Sequence, residues 1–78
     1  MANFEMVPVS SSQIESIGYD EDTQQLRIAF INKRGGAPSL YEYDNVSPQL
    51  HEQLMTAPSI GSFFAATIKG VNPYRKIS

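Results

Sequence analysis

Apolar and polar positions alternate most cleanly over Leu26-Arg27-Ile28-Ala29-Phe30, where Leu26, Ile28 and Phe30 fall on one face and Arg27 and Ala29 on the other. A period of two places successive side chains on opposite sides of a pleated ribbon, so this segment predicts a half-buried strand. Upstream, Gln13 to Tyr19 reads QIESIGY, with Ile14 and Ile17 as its apolar points. It predicts an earlier strand, in which Gly18 marks a bulge or a close backbone approach. The polar turn Asp20-Glu21-Asp22-Thr23 joins the two. Downstream, the run from Asn32 to Pro38 carries the glycines and proline of a loop, and Leu40-Tyr41-Glu42-Tyr43 returns as a third strand. The three strands predict an antiparallel β-meander.

After Tyr43 the signals change to helical ones. Ser47 followed by Pro48 is an N-cap with proline at the first helical position, and Leu50 and Leu54 repeat at i, i+4. That helix is expected to end near Ala57, before Pro58. A second helix is expected to open at Ser59, whose hydroxyl caps the amides of Gly61 or Ser62, and to carry Phe64 and Ile68 on one face. Lys69 followed by Gly70 fits its C-terminus, with a cation in the last turn and a glycine free to take positive φ. The tail from Val71 to Ser78 is expected to be extended. The predicted class is α+β: a three-stranded antiparallel meander followed by two short helices packed on one face. Leu26, Ile28, Phe30, Leu50, Leu54, Phe64 and Ile68 form the predicted core.

The chain has 78 residues, enough for a single domain spanning 1–78 with its core at about 9–74. It has no cysteine and one histidine, His51. Disulfides, thiolate zinc sites and histidine metal clusters are therefore excluded, and no cofactor is expected. Self-association is the remaining way for so small a core to gain stability, and Phe4, Ile31 and Phe63 lie off the periodic faces. A homo-oligomer of two or four subunits is expected. No segment approaches the roughly 18 apolar residues of a membrane span, and the opening lacks the pattern of a secretory leader, so the expected location is the cytoplasm. The formal charge of -2 is spread unevenly, with Lys69, Arg75 and Lys76 in an acid-free tail. That leaves room for a local basic patch but not for the broad basic field that long DNA requires.

Few side chains here suit catalysis. His51 has no serine or carboxylate spaced to form a relay and reads as an exposed helix-surface histidine. The acidic turn at Asp20 to Asp22 lacks the glycine and distal glutamate of a calcium loop and reads as a solvated hairpin tip. Tyr41 and Tyr43 are two apart, so in a strand their rings share a face. They are either core residues or a stacking platform, where each base would gain roughly 1–3 kcal/mol. Ser59-Ile60-Gly61-Ser62 is the other informative stretch. A glycine inside a helix costs about 1 kcal/mol against alanine. Gly61 either bares the helix N-terminus for a phosphate flanked by Ser59 and Ser62, or only permits close packing.

The order Ser11-Ser12-x-Ile14-x-x-Ile17-Gly18-Tyr19-Asp20, then Leu26-x-Ile28-x-Phe30, then Tyr41-x-Tyr43, then Ser59-x-Gly61-x-Phe63-Phe64-x-x-x-Ile68-Lys69 resembles the KTSC domain family. Members occur at the C-terminus of some lysyl-tRNA synthetases and as stand-alone bacterial and phage proteins. The resemblance implies a β-meander followed by helices and a role in RNA binding, with Tyr41 and Tyr43 as the hallmark pair. Two departures stand out: the loop from Asn32 to Pro38 is longer than the family's hairpin, and Ala65 replaces an asparagine. The stand-alone length also resembles phage accessory proteins, some of which sequester host nucleotide signals as oligomers.

Together these readings predict a non-enzymatic nucleotide-binding module whose ligand is a small phosphate-bearing nucleotide, such as a cyclic oligonucleotide signal. Tyr41 and Tyr43 are assigned to stacking, Ser59, Gly61 and Ser62 to phosphate, and Lys69 or Arg75 to charge. The alternatives are an RNA-binding accessory domain and a protein-interaction adaptor that binds no nucleotide.

Overall fold

The computed structural model describes residues 5–77. Its strands are β1 (Val7–Pro8), β2 (Ile14–Asp20), β3 (Gln25–Phe30), β4 (Ser39–Tyr43) and β5 (Tyr74–Lys76), and its helices are α1 (Pro48–Thr56) and α2 (Ile60–Thr67). The fold is α+β, and the sheet is antiparallel in the order β1-β2-β3-β4-β5. The expected three-stranded meander is the centre of this sheet. The added edges are short: β1 holds a proline that cannot donate to a ladder, and β5 has three exposed residues.

Local chemistry explains the connections. The β2–β3 turn is closed by the Asp22 amide donating to Asp20 Oδ1 at 3.0 Å, with Gln24 at φ 56°. The long β3–β4 loop turns through Gly35 and Gly36, both at positive φ. The irregularity in β2 falls between Ile14 and Ser16, while Gly18 pairs regularly with Arg27. The bulge expected at Gly18 is therefore displaced toward the start of the strand, and it switches the face on which Ile14 and Ile17 are counted.

Both helix caps form as expected. Ser47 Oγ accepts from the Leu50 amide at 3.1 Å, and α1 stops at Thr56 with Ala57 extended before Pro58. Ser59 Oγ accepts from the Ser62 amide at 3.4 Å. The second helix ends earlier than expected, at Thr67 with Ile68 as its cap, so Lys69 lies outside the last turn. Gly70 at φ 78° then redirects the chain, as its freedom from a Cβ allows. Asn72 anchors the return, its Nδ2 donating to the Asp44 and Asn45 carbonyls at 2.9 Å each.

Ile14, Ile17, Leu26, Ile28, Tyr43, Val46, Leu54, Phe64 and Ile68 form one buried cluster between the sheet and the helices. Each fully buried Leu or Ile contributes on the order of 1.5–3 kcal/mol relative to exposure. Phe63 packs against this cluster, so it does not need cover from a partner; Ile31 is 38% exposed. Phe4 lies outside the described residues. Among the described residues no helix is long and apolar enough to cross a membrane.

Candidate functional site

Because Tyr41 and Tyr43 alternate with Glu42 along β4, their rings emerge on the helix side of the sheet. Neighbouring elements bring three more rings to them. From β3, Phe30 meets Tyr41 edge-on at 5.5 Å between centroids, and from α2, Phe64 meets Phe30 at 5.5 Å and Tyr43 at 5.2 Å. The β4–β5 register sets Tyr74 opposite Tyr43, where the rings stack at 5.6 Å with 29° between planes. Tyr74 also lies 6.0 Å from Tyr41. Edge-on and offset contacts in this distance range are the favourable ones for aromatic pairs. The five rings, with Gln13, Ser39, Ala65, Lys69 and Gly70, line a cleft of about 500 Å³.

Tyr43 is both wall and core. It is 4% exposed, yet among the described residues its hydroxyl donates to no protein acceptor and opens on the cleft. Burial, and then the neighbouring Tyr41 and Tyr74, push its pKa up to about 12. The phenol therefore stays protonated and offers a donor to whatever fills the cleft. Of the two readings left open for the tyrosine pair, core packing holds for Tyr43, while Tyr41 is half-buried and Tyr74 is 61% exposed.

A second, more polar cleft of about 340 Å³ adjoins the first. It is lined by Ser10, Ser11, Ser12, Ser59, Gly61 and Ser62 among others, and it shares Gln13 and Ala65 with the aromatic cleft. The three residues assigned to phosphate are therefore together. The start of α2 is partly satisfied already, since Ser59 caps the Ser62 amide and donates to Ser62 Oγ at 3.1 Å. A Cβ on Gly61 would sit 3.5 Å from Gln13 Oε1 and 3.6 Å from Ser11 Oγ, in ordinary contact.

Two assignments need correction. Arg75 is not at the cleft: it follows Tyr74 in β5, so it projects from the opposite face of the sheet, where it pairs with Glu42. Lys69 is the cation that reaches the cleft. Nor is His51 an exposed histidine; it is half-buried and stacked on Tyr19. Tyr74, Phe30 and Phe64 were not anticipated as cleft residues. The signal for Tyr74 was available in the Tyr74-Arg75-Lys76 alternation, but its partner Tyr43 is known only from the register. Among the described residues there is no group of three or more His, Cys, Asp or Glu side chains placed to hold a metal ion.

The model of the KTSC domain family matches residues 10–74. A lysine–tRNA ligase of Nostoc punctiforme is 35% identical over 75 residues, a match covering 96% of this chain and 12% of the ligase. The chain thus spans about an eighth of the length of that relative. A protein of Tsukamurella paurometabola is 41% identical over 64 residues, covering 82% of this chain and 88% of its own length. In three dimensions the chain is similar to the crystal structure of a KTSC domain protein from Yersinia pestis, with a TM-score of 0.85 and 42% identity, covering 97% of this chain and 100% of the other.

Proposed function

The chain belongs to the KTSC domain family, and on that premise we propose that it is a non-enzymatic nucleotide-binding module whose aromatic cleft takes one base-bearing unit of a small phosphate-bearing nucleotide. The observation that carries this reading is the Tyr43 hydroxyl, an unpartnered donor on a side chain only 4% exposed at the wall of a five-ring cleft. Its oxygen is not sealed in the core but opens on the cleft, where an acceptor on a ligand could take the proton it offers. Aromatic walls supply sequence-tolerant stacking for a nucleobase. The volume, about 500 Å³, lies within the roughly 300–1,000 Å³ range of small-ligand pockets.

Charge narrows the ligand. Among the described residues Lys69 is the one cation lining the cleft, and the whole chain carries -2. A single cation suits a singly charged phosphodiester better than a triphosphate. Ser59, Gly61 and Ser62 line the adjoining mouth, where the phosphate of a base held in the aromatic cleft would emerge. A cleft that holds one unit would share a cyclic oligonucleotide between subunits, which fits the proposed dimer or tetramer and a role in sequestering such a signal. Val7, Ile31, Val71 and Ile77 are exposed and supply apolar surface for self-association.

RNA binding is the second reading, favoured by the similarity to a lysine–tRNA ligase. An unpaired base of an RNA would then occupy the same cleft. Native mass spectrometry of the protein purified from cells reports subunit number and retained nucleotide together. Titration with a cyclic dinucleotide, adenosine 5′-monophosphate and a single-stranded oligoribonucleotide over a salt series follows. Small-ligand capture predicts tight binding of the cyclic compound with a shallow salt slope. Oligoribonucleotide binding that weakens steeply with salt, with no small-ligand affinity, would replace it by the RNA reading. Binding of none of the three leaves the adaptor reading.

A further inference from the structure

Glu42 is 1% exposed, yet it sits on the sheet face opposite the helices, in the strand position between Tyr41 and Tyr43. Its carboxylate draws side chains from both neighbouring strands. Arg27 Nε of β3 donates to Oε2 at 2.9 Å, and Arg75 Nη2 of β5 donates to Oε1, which also receives Gln25 Nε2 at 3.4 Å. The cleft itself uses none of these groups.

We propose that the Glu42–Arg75 pair positions the binding cleft from behind, clamping β5 to β4 so that Tyr74 is held over Tyr43. Besides this pair, β5 is held by a three-residue ladder to β4, by the Tyr74 ring contacts and, just ahead of it, by the Asn72 bonds to the Asp44 and Asn45 carbonyls. It is an edge strand of three exposed residues, and its outward ring, Tyr74, is 61% exposed. Two backbone bonds flank the strand, from the Asp44 amide to the Pro73 carbonyl at 2.9 Å and from the Ile77 amide to the Leu40 carbonyl at 2.7 Å. Short, exposed edges of this kind open locally at low free energy. Arg75 is the residue next to Tyr74, so a tether on its side chain fixes the ring on the other face directly. An ion pair between two exposed groups contributes little, but here the acceptor is buried, and breaking a buried pair is felt more strongly. Arg75 is thus a positioning residue for the cleft and not a ligand contact.

The inference rests on the nucleotide reading of the cleft, but two of its readouts do not. The test compares Arg75→Met, Arg75→Lys, Tyr74→Ala and the double variant Tyr74→Ala/Arg75→Met. Exchange of the Asp44 and Ile77 amides is measured against the amides of β3, and adenosine 5′-monophosphate serves as the binding probe. In Arg75→Met, exchange at Asp44 and Ile77 should rise about tenfold or more with β3 unchanged, and alkaline titration of Tyr43 should move down from about 12 as its cover loosens. Probe affinity should fall about as far as in Tyr74→Ala, roughly tenfold for one lost stacking contact, with no further loss in the double variant. Arg75→Lys should restore most of both. Unchanged exchange and titration in Arg75→Met overturn the clamp, as do affinity losses that multiply in the double variant. If the natural sequence binds no probe, the nucleotide reading fails, and the exchange and titration arms still decide on the clamp.

Discussion

The Tyr19 ring lies flat against the His51 imidazole, with 4.3 Å between centroids and 11° between planes. The same tyrosine donates its hydroxyl to the Val46 carbonyl, just ahead of α1. One side chain of β2 therefore fastens both the approach to the first helix and its exposed flank.

This stack makes stability sensitive to acid. Burial holds the His51 pKa below its ordinary 6.5, so the folded protein favours the neutral ring and the unfolded chain takes up the proton first. Stability from this group is fully present above about pH 6.5 and falls as pH drops below it. Thermal midpoints measured from pH 7.5 to 5 should decline, and His51→Phe, which keeps a ring against Tyr19, should flatten that decline. An identical slope in the variant would assign the acid sensitivity to other groups.

Tyr43 makes the opposite statement at high pH. Its pKa, raised to about 12, exceeds the ordinary 10, so the folded state holds the phenolic proton more tightly. The associated stability is present below pH 10 and is lost as pH rises toward 12. Tyr19 is also raised, chiefly by burial, and contributes in the same direction. Tyr43→Phe removes a hydroxyl that has no protein partner, so its stability at pH 7 should lie within about 0.5 kcal/mol of the natural sequence. If the cleft takes a nucleotide as proposed, affinity for it should drop about five- to tenfold for one lost hydrogen bond. Parallel melts and titrations check both, and an unchanged affinity would remove the hydroxyl from the site.

Much of the centre of the fold was legible because it obeys simple periods. Leu26, Ile28 and Phe30 alternate as a strand should, and Ser47-Pro48 and Ser59 carry their cap chemistry in their residue types. The edges were not legible. β1 contains Pro8 and has two residues, and β5 has three, too few for any period to emerge. The cleft was half legible for the same reason. Tyr41 and Tyr43 declare a shared face, but Tyr74 joins them only through the register of an edge strand. Arg75 was misplaced because charge was read from its position in a basic tail, whereas strand alternation sends it to the other face. The burial of Glu42 had no local signal: its two cations come from residues 27 and 75.

Glu42→Ala should be among the more destabilising single changes. It removes the carboxylate that Arg27 and Arg75 share and leaves a void in the sheet, but both guanidinium groups reach solvent, at 32% and 63% exposure. The cost of breaking a fully buried pair, roughly 3–5 kcal/mol, is reduced accordingly to about 2 kcal/mol. For a chain of this length that lowers the thermal midpoint by about 8–16 °C. Glu42→Gln, which keeps the acceptor oxygen and the packing, should lose less. Equal losses in the two variants would mean that shape, and not charge, is what the position supplies.

Gly61 separates the two clefts' contributions. It occupies the first turn of α2 and faces Gln13 and Ser11 across the polar mouth. An alanine Cβ would meet them at 3.5 and 3.6 Å, ordinary contact distances, so Gly61→Ala should fold normally and gain up to about 1 kcal/mol of helix propensity. Valine adds two methyl groups that must extend past that contact shell into the mouth. If the ligand's phosphate occupies this mouth, Gly61→Val should lower affinity for a phosphate-bearing nucleotide about tenfold or more while leaving affinity for the matching nucleoside unchanged. The nucleoside comparison is the discriminating measurement, because on the proposed reading a nucleoside would fill only the aromatic cleft. Equal losses for both would mean that Gln13, which lines the two clefts together, has been pushed into the aromatic one. Loss of folding in Gly61→Val with normal binding in Gly61→Ala would make the glycine a packing residue and leave Lys69 as the anchor for the phosphate.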